Sequence, residues 1–262
     1  MIKHKTPFMW AGSKDKNWKD IKKYIPKDYD CYIEPFVGGG ATYFRILNDS
    51  EKKHCKIADI NRDLISTYDV MRDNSDYIIK NLPTKKDKDT FKKYMKPDAS
   101  LSKNEKGMRF LYLNRNRFFG MGGWMVADRY ARTSVVDRIK FYAPRMKNTI
   151  TYDNAFSILI GKNDFVFCDP PYPETNNNAC YKIEDDEILK LNIDYLKNVH
   201  DSGARFLFIT KNIESIRNTA NKLKLKVDVK KWTFRKPKKD PVVGEEIWIS
   251  NLKIDENEFF DL

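Results

Sequence analysis

Histidine and cysteine are scarce in this chain, and their scarcity sets the first limits on what it can do. The 262 residues include three histidines (His4, His54, His200) and four cysteines (Cys31, Cys55, Cys168, Cys180), scattered and without a C-x-x-C spacing. A His/Cys zinc centre needs closely grouped ligands, so no metal site is expected. The cysteines read as reduced, mostly buried thiols of a cytosolic protein. No apolar run approaches the roughly 18 residues that read as a membrane span, and Met1-Ile2-Lys3-His4-Lys5 has no apolar signal core. The expectation is a cytoplasmic protein (host cytoplasm, if the source is viral) with no membrane partner. A G-K-[ST] triplet is also missing, which disfavours a P-loop nucleotidase. Internal repeats and Pro/Gly/Ser linkers are absent, so nothing divides the chain cleanly.

Acidic residues are outnumbered. Lys and Arg total 49 against 37 Asp and Glu, a net charge of +12. Such an excess suits a polyanionic partner, because each neutralised phosphate releases condensed counterions. A solvated Lys-rich surface would give the same number, so charge alone does not decide.

What is present is an alternation of short apolar runs and helical patterns. Cys31–Glu34 leads into Pro35-Phe36-Val37-Gly38-Gly39-Gly40, and Ala41–Leu47 reads as a helix. Lys56–Ala58 ends at Asp59, and Leu64, Tyr68 and Met71 then share one helical face. Thr149–Tyr152, Phe165–Cys168 and Arg205–Ile209 read as the third to fifth strands. Leu223, Leu225, Val227 and Val229 alternate with polar residues, and Ile247–Ile249 closes the series. Strands alternating with helices predict an α/β fold with a doubly wound, largely parallel sheet. One interval breaks the rhythm. About ninety residues separate the second strand from Thr149, too many for one crossover helix. They predict an inserted, mostly helical lobe over residues 76–145, with residues 1–75 and 146–262 forming the main domain.

Two basic regions compete for attention. Lys222 to Lys239 holds nine basic residues and one acid, Asp228, but its Lys-x-Lys alternation suits the solvated face of an edge strand. Phe110–Phe119, with Arg115, Arg117 and Phe118, mixes base with aromatic and is followed by Gly120, Gly122 and Gly123. That mixture is the more specific mark of a nucleic-acid surface.

Two motifs carry chemistry. The first is the glycine run Gly38–Gly40 between a strand and a helix, with Asp59 at the end of the next strand, 21 residues beyond Gly38. Glycines let a backbone approach a ligand closely, and an acid at that spacing can accept hydrogen bonds from ribose hydroxyls. Together they favour an adenosine-containing cofactor. The second is Asp169-Pro170-Pro171-Tyr172, directly after the fourth strand. Two prolines fix the backbone, so that the Asp169 carboxylate and the Pro170 carbonyl can converge on one amino group whose ring stacks on Tyr172. In a doubly wound order the first and fourth strands are neighbours at the switch point, which would bring both motifs to one place.

With these residues in view, the chain resembles the Dam family of DNA adenine-N6 methyltransferases. The matching pieces are Met9–Lys14, Glu34–Ala41, Ala58–Asn61, Asp63–Ser66, Phe110–Gly120 and Cys168–Tyr172, in the family's order. The resemblance implies a Rossmann-like catalytic domain, S-adenosylmethionine as methyl donor, S-adenosylhomocysteine as product, no metal, and double-stranded DNA as partner. It assigns Trp10, Lys14, Asp59, Ile60 and Asp169 to the cofactor, with Phe36, Gly38 and Gly40 lining its pocket. Asp169, Pro170 and Tyr172 become the catalytic set, and Arg115, Arg117 and Phe118 contact DNA. Such enzymes usually carry Asn where this chain has Phe119, so the target sequence stays open. So do the oligomeric state, monomer or weak dimer, and the biological role.

Rivals differ in what they leave unexplained. Cytosine-C5 transfer needs a nucleophilic cysteine, usually after proline, and no Pro-Cys pair exists. Cytosine-N4 transfer uses similar chemistry, more often with Ser in place of the acid. A nicotinamide oxidoreductase leaves Asp169–Tyr172 without a role, and a non-catalytic basic DNA-binding protein leaves both motifs without one.

Overall fold

A computed structural model describes residues 5–49, 54–117, 120, 123–125, 132–173, 183–234 and 242–252. Phe118, Phe119 and Cys180 lie outside them. In chain order the elements are α1 (Trp18–Ile21), β1 (Cys31–Glu34), α2 (Ala41–Asp49), β2 (His54–Ala58), α3 (Arg62–Asp73), α4 (Ser75–Asn81), α5 (Lys88–Met95), α6 (Lys103–Asn116), α7 (Arg132–Tyr142), β3 (Thr149–Tyr152), β4 (Phe165–Cys168), α8 (Asp185–Asp201), β5 (Arg205–Lys211), α9 (Glu214–Lys222), β6 (Lys226–Phe234) and β7 (Val242–Ser250). The fold is mixed α/β with a seven-stranded, mostly parallel sheet, as a Rossmann-like methyltransferase requires. The chain forms two compact units, one from Met1–Trp18 and Val37–Ile158, the other from Lys19–Phe36 and Leu159–Leu262.

In the first unit β2 and β3 pair in parallel, with Cys55 opposite Thr149 and Ala58 opposite Tyr152. Asn61 caps α3 by accepting a hydrogen bond from the Leu64 amide at 3.1 Å, satisfying one of the helix's unpaired donors. The cap starts the helix immediately after β2 and sets its buried face, and Leu64, Tyr68 and Met71 are all fully buried. A capping box between Ser102 and Glu105 starts α6 in the same way. Asp69 joins α3, α6 and β3, meeting Lys103 at 2.5 Å and Arg72 at 3.1 Å and accepting from the Thr151 hydroxyl at 2.5 Å. Phe8, Phe44, Tyr43, Tyr68 and Tyr142 form one aromatic cluster beneath these elements.

The second unit carries the strands in the order β1-β4-β5-β7-β6. β1, β4 and β5 run parallel, with Ile33 opposite Val166 and Val166 opposite Phe206. All residues of β1 and β4 are buried, since a parallel strand is covered on both faces, and all but Glu34 are apolar. β7 turns antiparallel to β5 and β6. β6 is the edge, as the Lys-x-Lys alternation predicts, but it starts later than that alternation. Leu223 and Leu225 belong instead to the turn closing α9, where their amides bond to Thr219 and Ala220 and Lys224 adopts a left-handed φ of 56°.

Candidate functional site

Of the residues assigned to a cofactor, Trp10, Lys14, Gly38, Gly40, Asp59 and Ile60 belong to the first unit, and Phe36 and Asp169 belong to the second. Asp59 is buried, and its carboxylate accepts from the Gly38 amide at 3.0 Å and the Asn61 amide at 2.9 Å. Burial raises its pKa to about 6, and the two amide hydrogen bonds restrain the rise. An ionised carboxylate has about four lone-pair positions, so two remain for further donors. Ile60, next in sequence, is 65% exposed, an apolar side chain left open beside a buried acid. A ribose with its base fits that pairing, hydroxyls to the carboxylate and ring to the aliphatic side chain.

The glycine loop has a reason the sequence alone did not show. Gly38 and Gly40 adopt left-handed φ values of 47° and 65°. A Cβ on Gly38 would lie 2.5 Å from Trp10 Nε1, and one on Gly40 would lie 2.5 Å from the Tyr68 hydroxyl. The close approach is therefore made first by the protein's own side chains. Tyr68 also donates to the Gly38 carbonyl at 2.9 Å, holding the loop from below. Trp10 is half-buried against Gly38 and Gly39. Lys14 is buried and donates to the Gly12 carbonyl at 3.3 Å. The structure thus brings Trp10, Gly38, Gly40 and Asp59 together. The end of β3 joins them: the Asp59 amide bonds to the Tyr152 carbonyl, and exposed Phe156 follows in the next turn. No sequence motif pointed to that segment.

The acceptor motif lies in the second unit at the carboxyl end of β4, beside the end of β1. Phe36 continues from β1 and packs its ring edge-on against Tyr195, centroids 4.9 Å apart. Pro170 is buried, and Asp169 and Tyr172 are half-buried. Burial, with the carboxylates of Asp169 and Glu246 nearby, pushes the Tyr172 phenol well above its ordinary range. Cys168 is free and fully buried, and burial raises its thiol pKa well above normal, ahead of repulsion from Asp169 and Glu34. Such a thiol is a poor nucleophile, so Cys168 lends no support to cytosine-C5 chemistry. Sequence reading missed Glu246 on β7, and it missed Asn192 on α8, which donates to the Pro171 carbonyl at 3.0 Å. Asn192 had a visible signal: it is a polar residue inside the apolar stripe Ile188, Tyr195, Leu196, Val199.

The arginines assigned to DNA close α6. Arg115 and Arg117 are half-buried, and the Arg117 guanidinium rests on the Met95 sulfur of α5. Burial, and then the nearby Arg109 charge, lower the Arg117 pKa. Among the described residues no His/Cys/Asp/Glu group could hold a metal ion, and no helix is long and apolar enough to cross a membrane.

Residues 10–234 match the family described as D12 class N6 adenine-specific DNA methyltransferase. A type II methyltransferase, M.MjaIII, of Methanocaldococcus jannaschii is 29% identical over 239 residues, covering 77% of this chain and 82% of that protein. The DNA adenine methylase of Haemophilus influenzae is 28% identical over 65% of each chain. The Escherichia coli enzyme of the same name is 27% identical, over 68% of this chain and 69% of its own. The family match spans most of the residues discussed above and both compact units. The chain belongs to the D12 class N6 adenine-specific DNA methyltransferases.

Proposed function

We propose that this enzyme methylates adenine in duplex DNA after the base has left the helix, with Asp169 and the Pro170 carbonyl as the groups that activate the amino nitrogen. The single observation that carries this reading is the position of Asp169-Pro170-Pro171-Tyr172 at the end of buried β4, with Asp169 and Glu246 beside the Tyr172 phenol. The amino nitrogen of adenine is a poor nucleophile because its lone pair is delocalised into the ring. Accepting both of its N–H bonds, one at Asp169 and one at Pro170, favours a tetrahedral nitrogen with a localised lone pair. S-adenosylmethionine, when bound, supplies the methyl group as an electrophilic sulfonium. The new N–C bond forms as the S–C bond breaks, and the Asp169 carboxylate accepts the displaced amino proton. Positioning and electrostatics supply the acceleration, without a covalent enzyme intermediate.

Asp59, Trp10, Lys14, Ile60 and the Gly38–Gly40 loop hold the cofactor in this reading. Extruding a base costs a few kcal/mol. Stacking on Tyr172, roughly 1–3 kcal/mol by analogy with single-strand binders, offsets much of that cost. Residues 76–145 act as the DNA-recognition lobe. Arg115 and Arg117 hold DNA phosphates in this reading, and a phosphate at Arg117 would offset the Arg109 charge beside it.

The test is Asp169→Ala. Methyl transfer should fall by roughly a hundredfold to a thousandfold, the order seen when a preorganised transition-state contact is removed. Binding of S-adenosylhomocysteine and of DNA should change little. Single-turnover transfer near the wild-type rate would overturn the assignment.

A further inference from the structure

α8 contains a residue that its own fold does not require. Asn192 sits mid-helix at a fully buried position, where a helix favours leucine or alanine and a core favours an apolar side chain. Its polar atoms are committed in three directions. Nδ2 donates to the Ile188 carbonyl at 2.8 Å and to the Pro171 carbonyl at 3.0 Å, and Oδ1 accepts from the Thr210 hydroxyl at 2.7 Å. Thr210, on β5, is also fully buried. A buried polar network of this kind is tolerated when every member is satisfied, and it then fixes one geometry. Here the geometry fixed is that of the Pro171 carbonyl.

That carbonyl belongs to a segment with little freedom of its own. Both prolines have ring-locked φ angles, so pinning the carbonyl of Pro171 leaves the Pro170–Pro171 peptide plane few orientations. The same plane carries the Pro170 carbonyl oxygen. We infer that Asn192, oriented by Thr210, is a positioning residue that aims the Pro170 carbonyl at the adenine amino group. The inference rests on the reading of Asp169 and Pro170 as the amino-group acceptors. It predicts that removing the network slows the chemical step while leaving both substrates bound.

Asn192→Leu keeps the branched heavy-atom shape, with methyl groups in place of the amide atoms, and removes both donors and the acceptor. Single-turnover methylation should slow roughly tenfold to hundredfold, the scale of a misplaced reacting group. Affinities for S-adenosylhomocysteine and for DNA should stay within about twofold. Thr210→Val should slow the same step less, because Asn192 keeps its donors but loses its anchor. Thr210→Ser, which restores the hydroxyl, should recover the rate, and the pair Asn192→Leu/Thr210→Val should be no slower than Asn192→Leu alone. A folded Asn192→Leu with a wild-type chemical step overturns the inference. A loss of rate matched by an equal loss of both affinities also overturns it, since that is general damage. If Asn192→Leu does not fold, Thr210→Val decides, and an unchanged rate in that variant overturns the inference. Asp169→Ala measured in parallel separates the two levels. An active Asp169→Ala defeats the acceptor reading itself, whereas an inactive one beside a fully active Asn192→Leu defeats only the positioning role.

Discussion

At the scale of single residues, Asp59 is the most informative side chain because its burial makes its charge measurable. A carboxyl raised from 3.8 to about 6 is neutral over part of the accessible pH range. In the proposed site ribose hydroxyls donate to the ionised form, so cofactor binding and ionisation favour each other. Affinity for S-adenosylhomocysteine should be level above about pH 6.5 and fall towards tenfold per unit as pH drops below about 6. Stability of the free protein should move the opposite way. The folded pKa lies above the unfolded one, so the Asp59 contribution is fully present below about pH 3.8 and is lost as pH rises through about 6. Asp59→Asn should flatten the affinity profile and weaken binding at pH 7.5 by about tenfold or more, the loss of one charge-assisted hydrogen bond. Calorimetric titration across pH 5–8 checks this. A wild-type profile in Asp59→Asn would make Asp59 a staple for the glycine loop and nothing more. The residue illustrates what sequence can reveal. Its spacing from Gly38 marked it as a cofactor acid, but its hydrogen bonds to the Gly38 and Asn61 amides depend on how the loop returns over β2, which spacing does not encode.

At the scale of elements, Asn114 ties the amino-terminal segment to the end of α6. Its side chain accepts from the Met9 amide at 2.8 Å and donates to the Met9 carbonyl at 2.8 Å and to the Gly120 carbonyl at 3.3 Å. Gly120 has a φ of 83°, and a Cβ there would lie 2.1 Å from the Met9 carbonyl oxygen. Gly120→Ala should therefore cost roughly 1–3 kcal/mol of stability. It should also weaken cofactor binding, because Trp10 follows Met9. Gly123→Ala is the matched control: nothing lies within 4 Å of its Cβ position, so its melting temperature and affinity should stay near wild type. Equal behaviour of the two alanines in thermal melts would show that the Met9 contact carries no strain. Elements of this kind were partly legible. β1, β4 and β5 follow mostly apolar runs, because buried parallel strands have little choice of residue. The start of β6 was misread because Leu223 and Leu225 continue an alternation that the turn after α9 happens to share. The glycine run was read as room for a ligand, when Trp10 and Tyr68, distant in sequence, take up that room first.

At the scale of the whole molecule, the adenine-methyltransferase family was legible because several short motifs occur in a fixed order, each with a chemical reason. The networks that support the motifs were not. Asn192 and Thr210 lie on the consecutive elements α8 and β5, Glu246 lies on the distant β7, and the sheet order β4-β5-β7 sets β5 and β7 to one side of the strand that leads into the acceptor motif. The net charge of +12 fits a DNA substrate but does not choose the base or the atom that is modified. In the proposed mechanism that choice rests on the acid at Asp169, and one measurement addresses it most directly. Purified protein is incubated with duplex DNA and S-adenosylmethionine carrying a labelled methyl group, and the DNA is digested to nucleosides for mass spectrometry. The account predicts label in 6-methyl-deoxyadenosine alone, and none when Asp169→Ala replaces the wild type. Label in a methylated cytosine, or 6-methyl-deoxyadenosine formed equally well by Asp169→Ala, would contradict it.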